Sequence, residues 1–315
     1  MLDRVACSDS VTRWHLGNPG WDPVTGDAIV ALSLARLSAA SVPVLGMHEV
    51  VELGAVVPRA PEVHVWFPAY RGKSLVGLLG WLVTEHLAEP DARVVWHFGP
   101  RQGDRSIQRS LISVGWQLVE AQRGAKSIEV TLRPPAVAPE LEVPRFVEDS
   151  LVFEAGFGVF SPTRIDDGTR LLIEACGSVP AVDTVVDIGI GYGAVALSLV
   201  RGGVAQRAVG SDIDAIALWL AGRNAAANGV QLTRCFTADP TALPGSGLTV
   251  SNVPTHIDRQ ATDDFVNGLL RRSSNRLLVV VHTTIVERYF TRLAVTGEVR
   301  SVTGAAHTVL DVQVR

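Results

Sequence analysis

The seven residues Asp187-Ile188-Gly189-Ile190-Gly191-Tyr192-Gly193 carry the clearest chemical signal in the chain. They follow an apolar, β-branched run at Thr184 to Ile188 and precede a helix-forming stretch from Ala194 to Arg201. Alternating glycines let a backbone turn tightly and let a ligand approach with no Cβ in the way. The helix start behind such a turn offers N–H groups and positive potential to a carboxylate or phosphate. A small anionic or zwitterionic group is the ligand this turn is built for.

Two cofactors fit that turn. Gly189-x-Gly191-x-x-Ala194, with Asp212 about 20 residues further on, satisfies the dinucleotide fingerprint. The same turn with an acid at its head, Asp187, fits S-adenosylmethionine (SAM), whose methionine part would lie against Gly189, Gly191 and Gly193. In both cases Asp212 would take the ribose hydroxyls, so it does not decide. Asp187, and an Asn-x-Pro element after a later strand, favour SAM. By the same strand-end logic Asp239 would accept from the adenine amine, its alternative being an Asx turn before Pro240.

That later element is Ser251-Asn252-Val253-Pro254-Thr255-His256. An asparagine oxygen and the next carbonyl can accept two hydrogen bonds from an amine and aim its lone pair, which is catalysis by position. Asn252, Pro254 and His256 are the candidate catalytic residues, with His256 as a substrate or phosphate contact or as a plain helix-start residue. No metal and no covalent intermediate are expected.

The elements that must hold these residues are legible around them. Strands are expected at Thr184 to Ile188, Ala208 to Ser211, Leu232 to Thr237, Leu248 to Ser251 and Arg276 to His282. Helices are expected at Ala194 to Arg201, Ile213 to Asn228, Asp258 to Arg272 and Ile285 to Leu293, and Asn228-Gly229 is a good C-terminal stop. Two closing strands, Glu298 to Val302 and His307 to Val314, read as a terminal hairpin. In the N-terminal half, Val63 to Phe67, Arg93 to Phe98, Gln117 to Glu120 and Ser127 to Leu132 read as strands. Ser74 to Leu87 and Ser106 to Val114 read as helices. The alternation implies a parallel sheet with helices on both faces. No glycine-rich turn accompanies it, so this half reads as a nucleotide-type fold without its nucleotide.

Between the halves, Pro134-Pro135-Ala136-Val137-Ala138-Pro139-Glu140-Leu141-Glu142-Val143-Pro144 has four prolines and no apolar period, the signature of an extended linker. The expected organisation is residues 1–133, a linker over 134–147, and a second domain over 148–315. The chain has 315 residues, 47 % hydrophobic and 19 % charged, enough for two cores. Net charge is −4, with 28 basic against 32 acidic residues, so composition permits a nucleic-acid partner without indicating one. Three scattered cysteines match neither a disulfide framework nor a zinc site. No apolar run is long enough to span a membrane and no signal peptide is visible, so a cytoplasmic protein is expected.

A family resemblance rests on residues that follow one another in order. These are Phe157-Gly158-Val159-Phe160-Ser161, Ile165-Asp166-Asp167-Gly168-Thr169-Arg170-Leu171-Leu172, the turn from Val186 to Gly193, Asn224-Ala225-Ala226-Ala227-Asn228-Gly229, and Ser251 to His256. Together they resemble the RsmC-type family of ribosomal RNA guanine-N2 methyltransferases, most strongly from Leu151 to His256. The resemblance implies two tandem Rossmann-like α/β methyltransferase domains, the first degenerate and the second a seven-stranded class I SAM-binding domain. It implies that Asp187, Gly189 and Gly191 bind methionine, Asp212 the ribose, Asp239 the adenine and Asn252 the target amine. Phe160, Ser161 and Thr169 fall in the segment that covers the cofactor. Ribosomal RNA or a ribosomal subunit is the implied partner. The family motif is Asn-Pro-Pro-Phe-His, so Val253 and Thr255 depart from it. Those departures leave open adenine-N6 or guanine-N1 methylation, antibiotic self-resistance, a small-molecule substrate, or a non-catalytic SAM- or RNA-binding module.

Overall fold

The computed structural model describes residues 11–17, 27–33, 44–53, 57–68, 72–99, 102–254, 259–272 and 275–315. Two compact units emerge, residues 1–143 with 156–158 and residues 144–155 with 159–315. No described helix is long and apolar enough to cross a membrane.

The first unit holds β1 (Arg13–Leu16), β2 (Asp27–Ala31), β3 (Val44–Gly46), α1 (Met47–Leu53), β4 (Ala60–Trp66), α2 (Leu75–Leu82), β5 (Ala88–Phe98), α3 (Asp104–Ser113), β6 (Gln117–Arg123) and β7 (Ile128–Arg133). Its seven strands lie in the order β3-β2-β1-β4-β5-β7-β6. The pairs from β3 through β5 are parallel, and β7 and β6 run antiparallel at the edge. The helix expected over Ser74 to Leu87 is regular only to Leu82 and widens into a π-turn over Val83–Leu87.

The second unit opens with a hairpin, β8 (Arg145–Glu148) and β9 (Leu151–Glu154). It begins inside the segment read as linker. Asp149 and Ser150 at its tip both have positive φ, 48° and 68°. That is the type I′ geometry, which matches the twist of paired strands and is usually supplied by Asn-Gly or Asp-Gly. Serine at the second position hides the turn from the sequence. There follow α4 (Asp167–Cys176), β10 (Val182–Ile188), α5 (Ala194–Arg201), β11 (Ala205–Asp212), α6 (Ala215–Ala227), β12 (Leu232–Phe236), β13 (Leu248–Asn252), α7 (Arg259–Arg272), β14 (Arg276–His282), α8 (Val286–Ala294), β15 (Gly297–Thr303) and β16 (His307–Val314). The sheet order is β12-β11-β10-β13-β14-β16-β15.

The two orders are the same order, strand for strand, with five parallel strands and an antiparallel pair at one edge. The expectation of two tandem Rossmann-like domains holds. In the second unit Val186, Ile188, Val250, Leu277, Val279, Val281, Leu310 and Val312 are buried on the sheet. Strands covered on both faces read as continuous apolar runs, which is why the sequence located them.

Candidate active site

The glycine turn caps the C-terminal end of β10, beside β11 on one side and β13 on the other. Gly189, Gly191 and Gly193 all have positive φ, 77°, 58° and 96°. A Cβ built at Gly191 would meet nothing within 4 Å, and one at Gly193 would strike Leu197 Cδ1 at 2.7 Å. Gly191 therefore borders open space, and Gly193 is required by the tight start of α5 behind it.

Two carboxylates shape the turn. Asp187, buried at 1 % exposure, accepts the Ala196 N–H through Oδ2 at 3.1 Å and so ties the turn to the first turn of α5. Burial pushes its carboxyl up to about 7; the Ala196 hydrogen bond opposes this and the neighbouring charge of Asp212 adds to it. Asp212, at the end of β11, accepts the Gly191 N–H through Oδ2 at 3.0 Å and the Asp214 N–H through Oδ1 at 2.9 Å. Burial raises it to about 6, helped by Asp214 and opposed by backbone donors. Open space at Gly191, a helix N-terminus beyond Gly193 and an acid at the second strand end make a cradle that fits SAM.

Asn252 ends β13 opposite Val280. Its Nδ2 donates to Thr169 Oγ1 at 2.9 Å, and no described residue donates to its Oδ1. Ser251 Oγ donates to the Ile188 carbonyl at 2.6 Å, which fixes this strand end against β10. Val253 is buried, and its N–H donates to the Val280 carbonyl at 3.1 Å, one more rung of the ladder to β14. The Pro254 carbonyl accepts from Thr262 of α7 at 3.4 Å. His256 and Thr255 lie outside the described residues.

The remaining candidates sit as follows. Asp239 is exposed; its Oδ1 accepts from Thr241 N (2.9 Å) and Oγ1 (2.7 Å), so it makes the Asx-type turn before Pro240. Those bonds hold its carboxyl below the usual range. Ser161, at φ 47°, donates to the Arg164 carbonyl at 2.7 Å, and Phe160 beside it is exposed. Tyr192, inside the glycine turn, donates to the same Arg164 carbonyl at 3.3 Å and meets Phe146 and Phe153 edge-on.

Asn224 and Asn228 were visible only as a motif; the structure gives them work. Asn224, fully buried on α6, accepts the Glu154 N–H at 2.6 Å and donates to the Glu154 and Tyr192 carbonyls, each at 2.9 Å. Asn228, one turn later, accepts Val152 N–H at 3.0 Å and donates to Val152 O at 2.8 Å. The two amides act as a neighbouring strand for β9. Glu154 is further clamped by Arg145 and Arg223. Burial would raise its carboxyl, but those guanidinium hydrogen bonds outweigh it and hold it low.

The first unit repeats the backbone of this site without its chemistry. Gly17, φ 96°, follows β1 and donates to Val30 O at 2.9 Å, just as Gly189 donates to Ser211 O at 2.8 Å. Phe67 N donates to His97 O at 3.1 Å, as Val253 N does to Val280 O. In that register His15 stands where Asp187 stands, Ala31 where Asp212 stands, and Trp66 where Asn252 stands. Neither the acid at the second strand end nor the asparagine at the fourth has a counterpart. Trp66 instead stacks on His97 with ring centroids 3.7 Å apart, and His97 Nε2 meets His64 Nδ1 at 2.8 Å. Among the described residues no group of three or more His, Cys, Asp or Glu is arranged to hold a metal.

The second unit has the fold of class I methyltransferases, and residues 150–306 match the methyltransferase small domain family. Across both halves the chain is similar to RsmC-type ribosomal RNA methyltransferases. It is 30 % identical over 206 residues to the ribosomal RNA small subunit methyltransferase C of Chromohalobacter salexigens, covering 63 % of this chain and 61 % of that protein. It is 29 % identical over 270 residues to the enzyme of the same name from Pseudomonas entomophila, covering 82 % of this chain and 76 % of that one. The fold is shared with the T. thermophilus 16S rRNA N2 G1207 methyltransferase, solved with AdoMet and guanosine, at a TM-score of 0.72 and 20 % identity, covering 96 % of this chain and 88 % of that one.

Proposed function

We propose that this chain transfers a methyl group from SAM to the exocyclic N2 of a guanine in small-subunit ribosomal RNA. The observation that carries the reading is Asn252 at the end of β13, one strand from the glycine turn, with Oδ1 engaged by no described donor. Similarity to small-subunit RNA methyltransferases in both sequence and two-unit fold supports the RNA part.

When bound, SAM supplies an electrophilic methyl group. Gly189 and Gly191 admit its methionine part, Asp187 braces the turn beneath it, and Asp212 accepts from the ribose hydroxyls. Asp239 lies after the third strand, where the adenine amine would be met. Asn252 Oδ1 and the Val253 carbonyl accept the two N–H groups of the target amine and turn its lone pair towards the methyl group. A neutral amine already carries that lone pair, so no general base is needed before transfer; as the S–CH3 bond breaks and the N–CH3 bond forms, the surplus proton on nitrogen passes to water. His256 and Phe160 would contact the RNA or cover the cofactor.

The test pairs calorimetric titration of SAM with labelled methyl transfer to purified ribosomal subunits, followed by mapping of the modified base. Asn252→Ala should cut transfer about 100-fold or more while SAM affinity stays near wild type. Transfer to another base nitrogen would replace guanine N2, and SAM binding with no transfer to either subunit would overturn the ribosomal assignment.

A further inference from the structure

We propose that Thr169 is a positioning residue for this transfer: its hydroxyl accepts from Asn252 Nδ2 and so supports the orientation in which Oδ1 faces the incoming amine. The inference rests on the role of Asn252 given above. Thr169 is the third residue of α4, and its place is fixed twice over. The N-cap carboxylate of Asp166 accepts the N–H groups of both Gly168 and Thr169 at 3.1 Å. Arg170, next in sequence, pairs with Glu148 and donates to the Ile165 carbonyl at 2.9 Å, while Glu148 accepts the Ile165 N–H at 2.9 Å. From this anchored turn the buried Thr169 hydroxyl reaches Asn252 Nδ2 at 2.9 Å, across 83 residues of sequence.

The chemistry makes this contact matter. The two ends of an asparagine amide have nearly the same shape and opposite polarity, so a half-turn about the last side-chain torsion swaps acceptor for donor at little steric cost. A target amine offers only donors in the plane it must present. Facing Nδ2, it would meet donor with donor and its lone pair would be turned aside. A threonine hydroxyl can serve either amide end, so the amine makes the choice. Thr169 makes the productive choice cheap, because the half-buried Nδ2 then has an acceptor instead of lying unpaired. Thr169, expected from the resemblance in the segment that covers the cofactor, would in this role act through Asn252.

Thr169→Val keeps the shape and removes the oxygen; Thr169→Ser keeps the oxygen. Two readouts are needed. In the transfer assay, Thr169→Val should lower kcat roughly 10- to 100-fold with SAM Kd within about twofold of wild type, and Thr169→Ser should recover most of the rate. In 15N spectra, the Asn252 side-chain amide pair, assigned by its loss in Asn252→Ala, should show slowed solvent exchange in wild type and Thr169→Ser but not in Thr169→Val. An unchanged amide pair in Thr169→Val overturns the proposal, as does a serine variant as slow as the valine one, or SAM affinity falling in step with rate. Thr169→Ala replaces Thr169→Val should the latter fail to fold. If wild type transfers nothing to any subunit, the functional reading fails by itself, and the amide spectra still decide the role of Thr169.

Discussion

Gly191 donates its backbone N–H to Asp212 Oδ2 at 3.0 Å, so the glycine turn and the acid expected to hold the ribose are parts of one hydrogen-bonded unit. The carboxyl that anchors the turn is also the one that burial raises to about 6. A folded-state pKa above the unfolded value favours the folded form at low pH, and that contribution is lost as pH rises through the folded pKa. The thermal stability of wild type relative to Asp212→Asn should therefore fall as pH climbs from about 4 to about 7. SAM affinity should move the other way, rising as pH passes about 6, because hydroxyl donors prefer the ionised carboxylate. Melting curves and calorimetry at both ends of that range check the two signs.

Asn224→Ala should be among the most destabilising polar substitutions in the second unit. It removes three buried hydrogen bonds and strands the Glu154 N–H and the Glu154 and Tyr192 carbonyls. A loss of about 2–4 kcal/mol in urea unfolding is expected. Asn228→Ala, less buried, should cost less, and equal losses would contradict the hierarchy.

Val253→Pro restores the proline of the family motif but removes a donor this chain uses. The Val280 carbonyl would lose its N–H partner at 3.1 Å. Stability should fall by about 1–2 kcal/mol, with a lower urea midpoint at unchanged slope. A variant as stable as wild type would mean that the extra ladder rung contributes nothing.

The first unit should be the acid-sensitive one. Burial, then the neighbouring His64, His15 and Arg93, lower His97 to about 3. Its surroundings also include Glu129, 3.5 Å from Nδ1, and Glu62, which pairs with His64 and Arg93. A histidine that stays neutral when folded but protonates when unfolded gives stability that is present above about 6.5 and lost as pH falls below it. Six of the seven tryptophans lie at or before Trp116, so tryptophan fluorescence reports mainly on this unit. Acid should lower its unfolding midpoint, and His97→Phe, which keeps a ring against Trp66 but cannot titrate, should weaken that dependence.

How far the sequence could be read follows from how local each cause is. From β10 onward nearly every strand and helix was legible, because buried parallel strands are continuous apolar runs punctuated by glycine or asparagine. The strands β1, β2 and β3 were missed: they are five residues or shorter, too short for a clear apolar period. The hairpin of β8 and β9 was missed because its turn uses Asp149-Ser150. At the candidate site, Asp187, the glycines and Asp212 could be named from spacing, and Asn252 from the motif it resembles. The hold of Thr169 on Asn252, and of Asn224 on Glu154, spans 83 and 70 residues, where no periodicity reaches.

The asparagine pair, Asn224 on α6 and Asn228 at its C-terminal cap, has a consequence for how the molecule opens. A strand in a two-stranded hairpin ordinarily frays, since one of its edges faces water. In β9 that second edge is closed by Asn224 and Asn228, and Asn224 also grips the carbonyl of Tyr192 in the glycine turn. The amides of Val152 and Glu154 should then resist hydrogen exchange as strongly as those of α6 itself. Entry strand, long helix and glycine turn should therefore open as one cooperative unit.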